Sequence, residues 1–438
     1  SKDEVATIGT WVDQGARLGN PADLPPAPEF PDGWELGEPD YVIELPKQAV
    51  PADGEDLFPN RVIEIELPED KWVRAIEFRP GDKRVVHHIL ALLGDFGMSS
   101  GEGDEGGSNR GGTQAEIFSV WVAGSQPTVY PEGAGRVVRK RQVMTFNMHY
   151  HPCGEATDDV TRVGLHFGEG DLEKRITTTF AVNTGFEIPP NDGNHRVDAS
   201  YLFDQDARII SFLPHMHVRG KDMTYRAVFP DGREETLLSV PDYDYNWQWL
   251  YYPEEHVRVP AGTRIDVVAH YDNSDQNVAN PNPNQTVYYR DETFQEMFVG
   301  FMEFIVDEGV APRPMAPAQK LQLLLAEHPA DESYLLNGLF GLPWGLHLPR
   351  EGQGTWYFVV GSPMFTNTVR DIQWDGNDFS FLSTMVTQGG GGVSMRVIGS
   401  VTDDGIMSGT VYLGEMEAEA DPSAEVTELP FKGTRVGK

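Results

Sequence analysis

The sequence predicts an all-β protein: two tandem antiparallel β-sandwich domains of jelly-roll type, followed by a small C-terminal antiparallel β domain. Three observations predict it. Short segments such as 61–67 and 73–78 alternate apolar and polar side chains with period two, which sends one face of a strand into a core and the other to water. The 438 residues include 46 glycines and 32 prolines, above average usage, as expected for many short strands joined by turns. Helical spacing is confined to 5–17 and 318–327.

Residues 1–45 are rich in Pro, Asp and Gly and read as a tether with one helix-like stretch. The first domain spans 46–172, with strands at 61–67, 73–78, 84–93, 118–122, 143–150 and 162–167, separated by turn clusters such as Pro80-Gly81-Asp82. The glycine-rich, acidic segment 99–113 reads as a mobile loop. A second strand-rich block spans 173–308, with strands at 197–203, 208–214, 222–229, 245–252, 263–271 and 296–305. Residues 309–340 change character and read as a connector. From 341 to 438 short strands return and lead to an acidic tail, with no chemistry assembled among them.

The chain carries 34 Lys and Arg against 68 Asp and Glu, a formal net charge of −34. Such a surface repels phosphate backbones and anionic lipid, which argues against nucleic-acid or membrane-surface partners. The one basic cluster, Arg136 with Arg139, Lys140 and Arg141, leads into an apolar run and reads as the solvated edge of a strand. No apolar stretch is long enough for a membrane-spanning helix. Ser1-Lys2-Asp3-Glu4 has neither the basic region nor the apolar region of an export signal, so any such signal is expected to be already removed or to lie upstream. The single cysteine, Cys153, permits no internal disulfide. Free cysteine commonly packs as a small hydrophobe, and Cys153 is expected buried rather than as a soft metal ligand.

Three histidine motifs stand out. In Leu213-Pro214-His215-Met216-His217 the two imidazoles are two residues apart, so on a strand they share a face and either present themselves to one ion or form a satisfied surface pair. In Val85-Val86-His87-His88-Ile89 the two histidines are adjacent and point to opposite faces. They reach one ion only at a strand end or bulge, or by gripping it from opposite sides, an arrangement that suits copper better than tetrahedral zinc. The bland alternative is one core and one surface histidine. The third motif is Met148-His149-Tyr150-His151-Pro152-Cys153, where either His149 or His151 completes a three-histidine set with His87 and His88.

Together with Gly220-Lys221-Asp222-Met223, Asn246-Trp247-Gln248, Ala269-His270-Tyr271-Asp272-Asn273-Ser274 and Glu296-Met297, these motifs resemble the type II copper, ascorbate-dependent monooxygenases, the family of peptidylglycine α-hydroxylating and dopamine β-monooxygenases, and most closely its bacterial members. The resemblance covers roughly 41–307, with the motifs in order. It implies that His87, His88 and His149 hold an electron-transfer copper in the first domain, His149 being preferred to His151 because an aromatic residue follows it. It implies further that His215, His217 and Met297 hold the catalytic, oxygen-activating copper in the second, with Met302 the nearest competitor to Met297. Imidazoles accept both copper oxidation states, and a thioether favours Cu(I). The implied cofactors are two copper ions, with ascorbate or another one-electron donor as cosubstrate. The implied partners are O2 and a small-molecule substrate. The segment 11–16 resembles the last helix of a small c-type cytochrome module, an electron-donor partner that would lie outside this chain, which contains no Cys-x-x-Cys-His. The implied location is the periplasm or the exterior, where copper is available.

Departures from the family bear on the substrate. Where the peptide-amidating enzymes carry an arginine that clamps the substrate carboxylate, this chain has Leu213; where they carry Asn and Tyr after the ligand methionine, it has Val299 and Phe301. Without those polar anchors the expected substrate is uncharged or apolar. Two rival readings remain at this level: a mononuclear non-haem iron or zinc enzyme using one histidine cluster, and a non-catalytic copper-binding or scaffold subunit. Weaker features have bland explanations. His270 reads as an orienting or strand-end residue. The alternating aromatics Tyr243, Tyr245, Trp247, Trp249 and Tyr251 read as one packed face of a sheet. The oxygen-rich loop 272–284 lacks EF-hand spacing and reads as turn chemistry rather than a calcium site.

Overall fold

In the computed structural model of the chain, β-strands dominate and the two α-helices among the described residues, Lys2–Asp13 and Pro317–Leu325, are short. The structure describes residues 2–26, 33–94, 116–290, 292–307, 315–339, 342–359, 364–386, 392–415 and 427–436. The glycine-rich segment 99–113 and the acidic run 416–426 lie outside them. The chain divides into two units, Ser1–Glu38 and Pro39–Lys438. In the first, the helix stops at Asp13 rather than 17, because Gly15 and Ala16 adopt left-handed φ values of 87° and 47°. The tether expected over 1–45 is also shorter than that, since Tyr41–Glu44 is a strand paired with Arg162–Phe167.

The larger unit opens with two sheets that contribute to one apolar core. One is four-stranded, in the order Asn60–Glu66, Arg141–Tyr150, Val86–Leu93, Glu116–Val122. The other runs from Tyr41–Glu44 through Arg162–Phe167 and Lys71–Arg79 to Ala134–Val138, all antiparallel. The alternation in the sequence is realised as burial alternation: Ile65, Ile89, Phe146 and Met148 meet Val73, Ile76, Val163 and Leu165 in the core. Residues 174–307 repeat the arrangement. A four-stranded sheet of His195–Leu202, Arg264–Tyr271, Gly220–Val228 and Glu234–Val240 shares a core with Lys174–Asn183, Val299–Asp307 and Ala207–His215. The segment 245–252 is not a strand, apart from one bridge between Phe212 and Tyr251. Its alternation has another cause, described below.

The C-terminal block is a closed eight-stranded antiparallel barrel. Strands Ser333–Leu339, Leu342–His347, Gly354–Val359, Met364–Asp375, Asp378–Val386, Gly392–Val401, Ile406–Glu415 and Thr427–Arg435 pair each with the next, and the last returns to the first. Closure removes sheet edges. Trp344, Trp356, Phe379, Phe381 and Phe431 fill the core of this block. Two expectations need correcting. The barrel begins at Ser333, inside the expected connector, because the short run Tyr334-Leu335-Leu336 supplies a strand whose residues Tyr334 and Leu336 are buried. The acidic run is not a tail: Thr427–Arg435 follows it as the closing strand, with Glu428 and Lys432 exposed on one face and Phe431 and Gly433 buried on the other. One strand ties the unit together, since Lys174–Asn183 pairs in parallel with Ala134 and Gly135 upstream and with Met364 to Thr366 of the barrel.

Candidate metal centre

The adjacent histidines His87 and His88 are brought to one side by a register shift. Val86 pairs with Tyr150 and His88 with His149, so His87 is the extra residue of a bulge, and the bulge turns a ring that would otherwise face away. His149 is placed directly opposite His88. The result is a compact nitrogen cluster: His88 Nδ1 lies 3.3 Å from His87 Nδ1 and 3.4 Å from His149 Nδ1. The ligand atoms of all three lie within 4.8 Å of one another, and this is the one such group found among the described residues. Three nitrogens about 2 Å from a common centre stand about 3.5 Å apart when they surround it evenly, so the spacing fits a bound ion.

The orientation is set from behind. Leu57 exchanges both backbone hydrogen bonds with Tyr150, which brings Asp56 beside the strand end. Its Oδ2 holds His149 Nε2 at 2.7 Å and its Oδ1 holds His151 Nδ1 at 2.7 Å. A carboxylate on Nε2 fixes the tautomer in which Nδ1 keeps its lone pair for a metal. Burial opposes ionisation of Asp56, but the hydrogen bonds from His149 and His151 outweigh it and hold the carboxyl below its usual range. Phe58 stacks on His149 at 4.5 Å. His151 is outside the cluster, with a mostly exposed side chain. Cys153 is exposed, not buried as expected: it follows Pro152 in the loop beyond the strand end, where no core is available.

The second pair sits where strand Ala207–His215 runs out. His215 pairs with Val299, and His217 Nδ1 lies 3.3 Å from the Gln295 carbonyl, so the partners of the two histidines bracket Met297 in the sequence. The turn is held by Glu296, which is fully buried and takes the backbone N–H groups of His217 and Arg219 at 2.8 and 2.6 Å. Burial pushes the Glu296 carboxyl up to about 8, against those same N–H bonds. Tyr243 completes the brace by donating to the Met216 carbonyl at 2.7 Å. His215 Nδ1 donates to Gln248 Oε1 at 2.6 Å, and the Gln248 amide nitrogen donates to the Tyr245 carbonyl, which settles the amide orientation. Both imidazoles therefore leave Nε2 available. Met302 is wholly buried in the core, while Met297 is half-buried.

The two groups of histidines adjoin. Rings of His88 and His215 meet edge to face with centroids 6.0 Å apart. Burial is the main force on their protonation. It pushes His87 down to about 3 and His88, His215 and His217 below the ordinary value, reinforced at each except His215 chiefly by neighbouring imidazoles. These four are neutral at neutral pH and keep their lone pairs, as metal ligation requires.

Several contributing residues escaped the sequence reading. Asp56 sits in an ordinary-looking loop with no signal. Gln248 and Glu296 belong to quoted motifs, but their roles follow only from contacts. The alternating aromatics are a loop whose members act singly: Tyr243 braces Met216, Tyr245 stacks on His87 at 4.6 Å, and Trp247 and Trp249 stack on each other at 5.4 Å. His270 bonds Asp222 at 2.8 Å, away from the cluster. In the oxygen-rich loop, buried Asn273 accepts from Arg219 and Asn280 and donates to the carbonyls of Pro189 and Gln285, so its amide is saturated by turn and side-chain bonds. Leu213 and Phe301, with Ser211, Glu303 and others, line a cavity of about 20 Å³; the Phe301 ring centroid lies 6.4 Å from that of His215. No model of a known protein family and no curated protein matches the chain.

Proposed function

We propose that the chain is a copper-dependent monooxygenase that hydroxylates a C–H bond of an uncharged or apolar small substrate, using O2 and ascorbate or another one-electron donor. The observation that carries this reading is the convergence of His87, His88 and His149 on one point beside a second pair, His215 and His217, whose Nε2 atoms are free. In this reading His87, His88 and His149 hold one copper, and His215, His217 and Met297 hold the catalytic one. Copper supplies one-electron steps and oxygen activation. The residues of the chain bind and orient. Asp56 and Gln248 keep ligand nitrogens aimed, and burial keeps His87, His88, His215 and His217 unprotonated. Leu213, Val299 and Phe301 surround His215 with apolar surface that favours an uncharged substrate over a carboxylate. The paired sheets of 46–172 and 173–308 are read as jelly-roll sandwiches, and the expected compartment is the periplasm or the exterior.

The test is copper analysis together with ascorbate-dependent O2 consumption, for the wild type and for His87→Ala and His215→Ala. The expected outcome is two coppers per chain, fewer in each variant, and O2 uptake in the wild type alone. Full copper occupancy in both variants overturns the site. Bound copper with no O2 uptake points instead to a binding subunit.

A further inference from the structure

Apart from the histidines, the sheet that contains His195–Leu202, Arg264–Tyr271 and Gly220–Val228 has a second face with a neighbour of its own. Ile265, Val267 and Ala269 point into the core of the second block, so Arg264, Asp266 and Val268 point the opposite way. They face a third layer rather than open water. The C-terminal end of helix Pro317–Leu325 and the barrel strands Gly354–Val359 and Met364–Asp375 stand over them, and a cavity of about 350 Å³ remains between. That volume lies in the ordinary range of small-ligand sites, about 300–1,000 Å³. The layers are pinned in two places. Leu202, Leu321, Leu324, Leu325, Tyr357 and Val359 form one apolar cluster, with Lys320 paired to Asp204 at 2.7 Å nearby. Asn183 pairs with Thr366 of the barrel, and its amide donates to the Asp198 carbonyl at 3.0 Å and to the Thr368 hydroxyl at 3.1 Å. The fold around the gap thus holds it open.

The lining is polar yet electrically balanced. Arg264 forks onto Asp266 at 2.6 and 2.9 Å and reaches Glu327 at 3.1 Å, Arg196 grips Asp198 at 2.6 Å, and Arg226 meets Glu234 at 2.9 Å. Burial, then the neighbouring His347, holds His328 down to about 4, so its ring is uncharged at neutral pH; it lies 2.9 Å from the Tyr357 hydroxyl. An ionic ligand would bring a charge with nothing left to compensate it. A carboxylate has about four lone-pair sites and a guanidinium five N–H groups, so pairs whose charges cancel still present acceptors and donors side by side. Neighbouring hydroxyls match that pattern, because each both donates and accepts and can replace bound water bond for bond. Thr366, 3% exposed, lines the same cavity with a hydroxyl that lacks a hydrogen-bond partner. We propose that this cavity binds a neutral polyhydroxylated ligand, a small sugar, at a site that shares no residue with the histidine clusters.

Isothermal titration calorimetry of the full chain with glucose, galactose and maltose tests the site, with glucose 6-phosphate and glucosamine as charged counterparts. Saturable binding of at least one neutral sugar, one per chain and tighter than either charged compound, is expected. Val268→Trp fills the cavity from the sheet side and is expected to abolish that binding. Thr366→Val removes one hydroxyl while keeping the side-chain shape, and is expected to weaken it about 3–10-fold. Circular dichroism checks that each variant is folded; should Val268→Trp not fold, Val268→Phe and Thr366→Val carry the test. No saturable binding of any of the three neutral sugars overturns the proposal. So does undiminished binding in the folded variants, which places the sugar elsewhere, or tighter binding of glucose 6-phosphate or glucosamine.

Discussion

Asp56 touches no other histidine than His149 and His151, yet it decides how the cluster is aimed. Supporting carboxylates of this kind are commonly worth about 10–100-fold in metal affinity. Asp56→Ala is therefore expected to weaken copper binding by that range, and His151→Ala far less, since His151 stands outside the cluster; competition titration against a chelator of known affinity measures both. The imidazoles also set a pH dependence whose sign is fixed. Burial first, then the charges of His149 and His215, push His87 down to about 3 from its ordinary 6.5, and His88 and His217 shift the same way. Below 6.5 the unfolded chain binds protons at these imidazoles that the folded one refuses, so their contribution makes stability rise with pH there and is level above it, while Glu296, raised to about 8 by burial, makes stability fall as the pH rises towards that value. Chemical denaturation of metal-free protein between about pH 4 and 8 is expected to show stability lost as the pH falls through 6.5. An increase on acidification below 6.5 contradicts the buried, neutral cluster.

At the scale of elements, a bulge and a loop do what regular strands cannot. Without the extra residue at His87, adjacent histidines would stay on opposite faces of Val86–Leu93. The loop over 242–251 sends Tyr243, Tyr245 and Gln248 to separate targets, which a sheet face would not allow. The barrel shows the opposite constraint, with strands pressed so close that glycine is required. A Cβ at Gly399 would lie 2.5 Å from the Ser408 carbonyl and 2.6 Å from the Phe379 ring. Gly399→Ala is expected to destabilise the barrel by about 1–3 kcal/mol through overpacking, lowering its thermal midpoint while copper binding is unchanged.

Across the whole molecule, the first and second blocks are joined by a buried charge. Arg136, with a 1% exposed side chain, donates to Glu303 at 2.6 Å, to the Tyr130 hydroxyl at 2.7 Å and to the Ile117 carbonyl at 3.0 Å; Glu303 also accepts from Ser211. Removing one partner of such a pair leaves a buried charge without compensation, at a cost of about 3–5 kcal/mol, whereas replacing both with apolar groups is often neutral. Arg136→Met is expected to be strongly destabilised in urea melts, and Arg136→Met/Glu303→Leu to recover most of the loss. Equal destabilisation of the two would show that the ion pair is not what holds this junction. The reading of Arg136 as a solvated strand edge failed for a plain reason: a charge reads as surface unless its partner, here 167 residues away, is known.

The all-β class and most strand positions were legible in the sequence because period-two alternation is a local property: each residue's face follows from its neighbours along the chain. The histidine motifs were legible as candidates for the same reason. Which of them converge was given by the resemblance alone, not by spacing or alternation. A bulge at His87, the bridge that presents Asp56, the choice of His149 over His151 and the contact of His88 with His215 are all matters of register between strands distant in sequence. The closing strand of the barrel was hidden by its charges, and its pairing with Ser333–Leu339 has no local signature. Alternation reports which way a side chain faces, while only tertiary packing decides what it meets there.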